Sequence, residues 1–329
     1  MKKFQIIGLV LIGFVILGSY IVTGSYGLNK RNIAIYNSAL NLQRQVDSIG
    51  FPNFRLKNYP VSFFDGKNDY VFYEGTMKKR KPVFPVFVGT TYPVDEHYEV
   101  FVPTVEKMNG LLSIINGIST VRNKSDDALE NIYADKEHIT IIWHEVFHAY
   151  QMTNYKNTIV GFIDNNTLLK DMNMEEVIVS EVDQNSKLRK YYEDELILLN
   201  KAVKAWDIDE VKNIVLEYKE LNKKRKALLN KEVLEIETYY ELVEGTAYYV
   251  EALVYQLQYS KEATLDYYVD NIKEYTNGSM KYYRIGMAKC LLLDKLDKDW
   301  KTKLDFSCSL DELIDKSIRN TEFRICNES

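Results

Sequence analysis

The sequence predicts an α+β chain that is mostly helical, with a small N-terminal antiparallel sheet, a helical-hairpin insertion and one N-terminal transmembrane helix. Three observations carry this. All six prolines, Pro52, Pro60, Pro82, Pro85, Pro93 and Pro103, precede residue 104, and proline interrupts helices, so long helices are expected only beyond that point. Between Phe51 and Thr104, short aromatic and β-branched runs alternate with Gly and Pro, the pattern of strands joined by turns. Phe4 to Val22 forms a nineteen-residue run without a charge, long enough to span a bilayer.

Taken in order, Lys2-Lys3 precede that run, and the only passable small-residue cleavage position follows Ser25. An uncleaved anchor over residues 1–27 is favoured over a removed signal, because a signal usually has a shorter apolar core. Lys2 and Lys3 favour an inside N-terminus, with Lys30-Arg31 weakening the bias. The rest of the chain is therefore expected outside the cytoplasm, tethered to the cell membrane, or secreted if the signal is cut. Abundant Lys, Asn, Ile and Tyr suggest a bacterial source with AT-rich codons. Within a linker of residues 28–50, Asn32 to Ser48 reads as an amphipathic helix.

A single domain is expected over 51–329. Its strands include Tyr70–Tyr73, Val83–Val88 and Tyr98–Val102. Ile139, Ile142, Val146 and Ala149 recur at helical spacing, predicting a largely buried helix from about Asp135 to Thr153. Two antiparallel helices, roughly 175–205 and 208–230, form a hairpin insertion at about 170–232. Asp207-Ile208-Asp209-Glu210 starts the second as a capping box. The charged faces read as a solvated strut, with a partner-binding arm as the alternative. Cys290 is expected buried on a helix from Met287 to Leu296, and Cys308 with Cys326 could form a disulfide in an oxidising exterior.

Composition excludes one class of partner. The net charge is -5, and Lys78-Lys79-Arg80-Lys81 and Lys223-Lys224-Arg225-Lys226 are too short to track a phosphate backbone, so nucleic acid is not expected.

The chemistry concentrates in His144-Glu145-Val146-Phe147-His148. On a helix, residues four apart share a face, so both imidazoles can converge on one Zn2+ while Glu145 reaches a water beside it. Catalytic zinc takes three protein ligands. The metzincin positions hold Gln151 and Asn154, and the near-downstream gluzincin positions hold Thr167 and Leu168, so the third ligand must come from elsewhere. The best candidate is Glu244, within an amphipathic helix whose apolar face includes Val233, Ile236, Val243, Ala247 and Val250. Beside that face runs an acidic stripe of Glu237, Glu241, Glu244 and Glu251, read as mostly solvated. Gly245 follows Glu244, and a mid-helix glycine costs about 1 kcal/mol unless a close approach needs the space. The expected neighbour is the His144/His148 helix. Glu241, one turn earlier, remains an alternative ligand or a partner to a ligating histidine.

Glu244-Gly245-Thr246-Ala247 resembles the E-G-x-A segment carrying the glutamate ligand of gluzincin metallopeptidases, including the aminopeptidase N family. Tyr283-Arg284-Ile285-Gly286 resembles that family's Y-x-x-G segment. The three motifs span 144–286, somewhat under half of the chain, and no G-x-M-E-N segment is present. The resemblance implies a zincin-like peptidase domain with His144, His148 and Glu244 as zinc ligands, Glu145 as general base and Tyr283 stabilising the oxyanion. Tyr282 is the alternative tyrosine, and the absent segment removes grounds for an aminopeptidase specifically. A peptide or protein substrate is expected to lie extended on an edge strand, with Val83–Val88 the candidate. The other classes are a membrane-anchored interaction protein that uses the hairpin, and a zinc hydrolase of a non-peptide substrate.

Overall fold

In the computed structural model, which describes residues 27–108 and 135–328, the chain divides into two units whose boundary falls inside one unbroken helix. The first comprises Met1–Gln45 with Arg55–Ala149, the second Val46–Phe54 with Tyr150–Ser329. The apolar run 4–22 lies outside the described residues. Among those described, no helix is long and apolar enough to cross a membrane.

In the first unit, Asn29 caps α1 (Lys30–Asn41), its side chain accepting from the Asn32 amide, one of the donors that a helix start leaves unpaired. The helix is shorter than expected, giving way to short turns at Gln43–Val46 and Asp47–Ile49. Five strands follow: β1 (Val61–Phe64), β2 (Asp69–Tyr73), β3 (Thr76–Arg80), β4 (Thr90–Val94) and β5 (His97–Pro103). Their order is β3-β2-β1-β5-β4. The sheet is mixed, not antiparallel, because β1 pairs β5 in parallel, from Val61 opposite Val100 to Phe64 opposite Pro103. The β2–β3 hairpin grows on one side of β1, and the chain then crosses to the far edge, so the β4–β5 hairpin returns along β1.

Val83–Val88 lies in that crossing and is not a strand. Pro82 and Pro85 each remove a backbone donor and fix φ, which disrupts a ladder. Val86 is instead buried with Phe64 and Phe101. The middle strand β1 is buried at every position. Tyr36 of α1 stacks on Phe72 at 4.3 Å between ring centroids, and His138 stacks on Phe63 at 5.8 Å.

The boundary helix is α2 (Asp135–Gly161), longer than periodicity predicts. The second unit adds α3 (Ser186–Lys204), α4 (Ile208–Lys226), α5 (Lys231–Tyr240), α6 (Thr246–Gln258), α7 (Met280–Leu296) and α8 (Leu310–Glu328). The segment expected to begin α3 is separate: a short helix, Met174–Ile178, followed by a π turn, Val179–Asp183. Asp207 caps α4 as its position predicts, its carboxylate accepting from the amides of Asp209 and Glu210.

The α3–α4 hairpin is not a solvated strut. Tyr192, Leu196 and Leu199 of α3 and Val215 and Tyr218 of α4 are buried, and so is Arg225. Its guanidinium donates to Glu195 Oε1 at 2.8 Å, to both oxygens of Glu237 at 2.8 and 3.0 Å, and to the Tyr192 hydroxyl at 2.7 Å. Taking a charge out of water costs several kcal/mol unless partners satisfy it; Glu195, Glu237 and Tyr192 engage Nε and Nη1, while Nη2 has no hydrogen-bond partner among the described residues. The acidic stripe is likewise not mostly solvated, since Glu237 and Glu241 are buried. Cys290 is buried on α7 and carries a free thiol, as does half-buried Cys308. The expected disulfide to Cys326 involves a side chain outside those described.

Candidate metal centre

Around the H-E-x-x-H segment, Ile139, Ile142, Trp143, Val146, Phe147 and Ala149 are all buried, so this part of α2 packs on apolar neighbours. The Nε2 atoms of His144 and His148 lie 3.0 Å apart, with the rings at 76° to one another. Bonds of about 2.0–2.1 Å at tetrahedral angles would separate two zinc-bound nitrogens by about 3.3 Å, so the pair fits a shared zinc.

Glu145 is 7 % exposed and meets β4. Thr91 Oγ1 lies 2.7 Å from the Glu145 carbonyl oxygen and 3.0 Å from Glu145 Oε2; with one proton, the hydroxyl donates to one of them at a time. Just ahead, Gly89 lies so close that a Cβ would fall 2.7 Å from Ile141 Cγ2 and 3.0 Å from the Glu145 side chain. The strand beside the helix is therefore β4, at one end of the sheet, and not Val83–Val88. Sequence reasoning missed Gly89 and Thr91. The glycine was the available signal, since glycine in a strand region often marks a close backbone approach.

Glu244 sits in a π turn, Glu241–Gly245, inserted between α5 and α6. A π turn carries an extra residue and re-aims the side chains after it; such turns recur at functional sites. Gly245 does leave room for a close approach, but the partner is α7 rather than the histidine helix. A Cβ on Gly245 would lie 2.5 Å from Gly286 Cα, and one on Gly286 would lie 2.5 Å from the Glu241 carbonyl oxygen. The glycines of the E-G-x-A and Y-x-x-G segments thus face each other.

One donor atom from each of His144, His148 and Glu244 lies within 4.8 Å of the others. Two imidazoles and a carboxylate are a donor set that zinc takes, so these residues could hold the metal. Glu241 is committed elsewhere: its Oε2 accepts from Lys289 Nζ at 2.6 Å, and Lys289 also pairs with Asp311 at 2.7 Å. Burial alone would lower the Lys289 pKa, but Asp311 and Glu241 more than reverse this and hold it well above the ordinary lysine value.

The two tyrosines part in the same way. Tyr282 is fully buried, its hydroxyl 3.0 Å from that of Tyr192 and donating to Glu237 Oε1 at 3.1 Å. Burial, then the Glu237 charge, pushes its pKa well up. Tyr283 is half-buried, edge-on to Tyr248 at 6.1 Å.

No protein-family model, curated protein or solved structure matches the chain.

Proposed function

We propose that this chain is a zinc-dependent peptidase of gluzincin type, tethered to the cell membrane by its N-terminal apolar run with the catalytic part outside the cytoplasm. The observation that carries the reading is the convergence of His144, His148 and Glu244 to within 4.8 Å. Zinc, when bound, supplies Lewis acidity, making water acidic enough to yield a nucleophile near neutral pH.

The chain's own groups do the rest. Glu145 takes the proton from the attacking water and returns it to the leaving amine. Thr91, at 3.0 Å from Glu145 Oε2, limits the orientations open to that carboxylate. Tyr283 donates its hydroxyl to the oxyanion that forms on the peptide carbonyl, a contact typically worth about 3 kcal/mol of barrier. Tyr282 is unsuited to that role, because its hydroxyl is engaged by Glu237 and Tyr192. The peptide lies extended along β4, the end strand among those described and the one that reaches Glu145, where an edge can take a further strand.

The test is a metal count on the purified full chain together with a mixed-peptide digest, with Glu145→Gln alongside. We expect about one zinc per chain in both and cleavage only in the parent, the variant falling by on the order of 10²–10⁴-fold. Cleavage retained in Glu145→Gln would remove Glu145 from its role. Zinc binding without hydrolysis of any peptide would favour a non-peptide substrate or an interaction protein with a structural metal.

A further inference from the structure

Gln151 follows His148 by three residues on α2 and His144 by seven, spacings that keep all three on one helix face. Its side chain is fully buried and reaches the turn that carries Glu244. Nε2 lies 3.0 Å from the Val243 carbonyl oxygen, 3.3 Å from that of Leu242 and 2.8 Å from Thr246 Oγ1; its two protons serve these three acceptors by sharing. The Thr246 hydroxyl in turn donates to the Leu242 carbonyl at 2.5 Å. These partners flank Glu244 on both sides.

The pairing has a physical reason. In an α-helix the carbonyls of residues 242 and 243 accept from amides four residues on, whereas a π turn shifts the pattern to five and interrupts the regular ladder. The Val243 carbonyl takes the Thr246 amide, three residues on, in place of the regular partner, and a buried carbonyl wholly without a partner costs about 1–3 kcal/mol, so side-chain donors help such a turn persist. Gln151 and Thr246 supply them, and a leucine or methionine of similar size could not.

We infer that Gln151 is a positioning residue for the proposed metal centre: its amide fixes the π turn and so holds Glu244 in register with the two histidines on its own helix. The inference rests on the zinc reading. It assigns a purpose to the residue that stands where a metzincin would have glycine.

The test uses the purified full chain, with zinc as the probe. Gln151→Met keeps the volume and removes the donors; Thr246→Val keeps the branched shape and removes the hydroxyl. Zinc dissociation constants come from competition with a chromophoric chelator. Amide exchange of residues 241–247 is measured on the metal-free chain.

Gln151→Met is expected to weaken zinc by about 10- to 100-fold and to speed exchange selectively at 241–247. Thr246→Val is expected to move both readouts in the same direction by less. A folded Gln151→Met chain with parental zinc affinity would overturn the inference. If that variant does not fold, parental affinity and protection in Thr246→Val would overturn it instead. Should the parent bind no zinc, the metal reading fails on its own, and unchanged exchange in the folded variants would then overturn the role of Gln151 in holding the turn.

Discussion

Glu244 and Glu241 lie one helical turn apart and differ in what surrounds them. Glu241 is buried and neutralised by Lys289 Nζ at 2.6 Å. Moving it to a metal would leave the buried Lys289 ammonium with Asp311 as its only carboxylate partner, and removing one partner from a buried ion pair is costly. Glu244 is half-buried and belongs to the group that could hold a metal. Glu244→Ala is therefore expected to leave the fold intact and abolish stoichiometric zinc binding, as read by metal analysis after gel filtration. Undiminished zinc in that variant would return the ligand role to another acid. Burial likewise separates fully buried Tyr282, whose hydroxyl meets Tyr192 and Glu237, from half-buried Tyr283. In each pair sequence periodicity could not choose, because neighbouring residues of one type differ only in partners that lie far along the chain.

Among the elements, the π turn crosses α7 at a close backbone approach. Glycine meets glycine there, and the atoms a Cβ would meet are backbone, which cannot retreat as a flexible side chain can. Gly286→Ala puts a methyl 2.5 Å from the Glu241 carbonyl oxygen. Overpacking of this kind typically costs about 1–3 kcal/mol, so the denaturant midpoint should fall without a change in slope. An unchanged midpoint would mean that the helices part more easily than their packing implies. Gly245 was legible in the sequence as a residue needing an explanation; its partner was not, since a close approach leaves a glycine on each side and the chain has several.

On the larger scale of the second unit, buried charge ties α3, α4, α7 and α8 together. Asp311 of α8 pairs with Lys289 of α7 and with Lys226 of α4 at 2.6 Å. Burial pushes its carboxyl up, but Lys289 and Lys226 more than offset this and hold it below the ordinary value of 3.8. A carboxylate whose pKa is depressed by folding contributes stability that is fully present above its unfolded pKa and is lost as pH falls through the folded one. Asp311→Asn should therefore lower unfolding free energy at neutral pH and flatten its decline below pH 3.8. Parallel curves for the two chains, measured by denaturant unfolding across that range, would show that the pairing does not contribute.

The sequence by itself determined what depends on neighbours within a turn or two. The α2 helix and the shared face of His144 and His148 follow from local periodicity, and the start of α4 at Asp207 follows from a cap four residues long. The mostly helical α+β class follows from where proline stops. Tertiary structure decided what depends on distant partners. It made the sheet mixed through the β1–β5 pairing, put β4 rather than Val83–Val88 beside Glu145, and drew the hairpin's charges inward around Arg225. It also inserted a π turn at Glu244, with donors from Gln151 some ninety residues earlier. A charged or polar residue reads as solvated until its counterpart is known, and that counterpart lies beyond any local window.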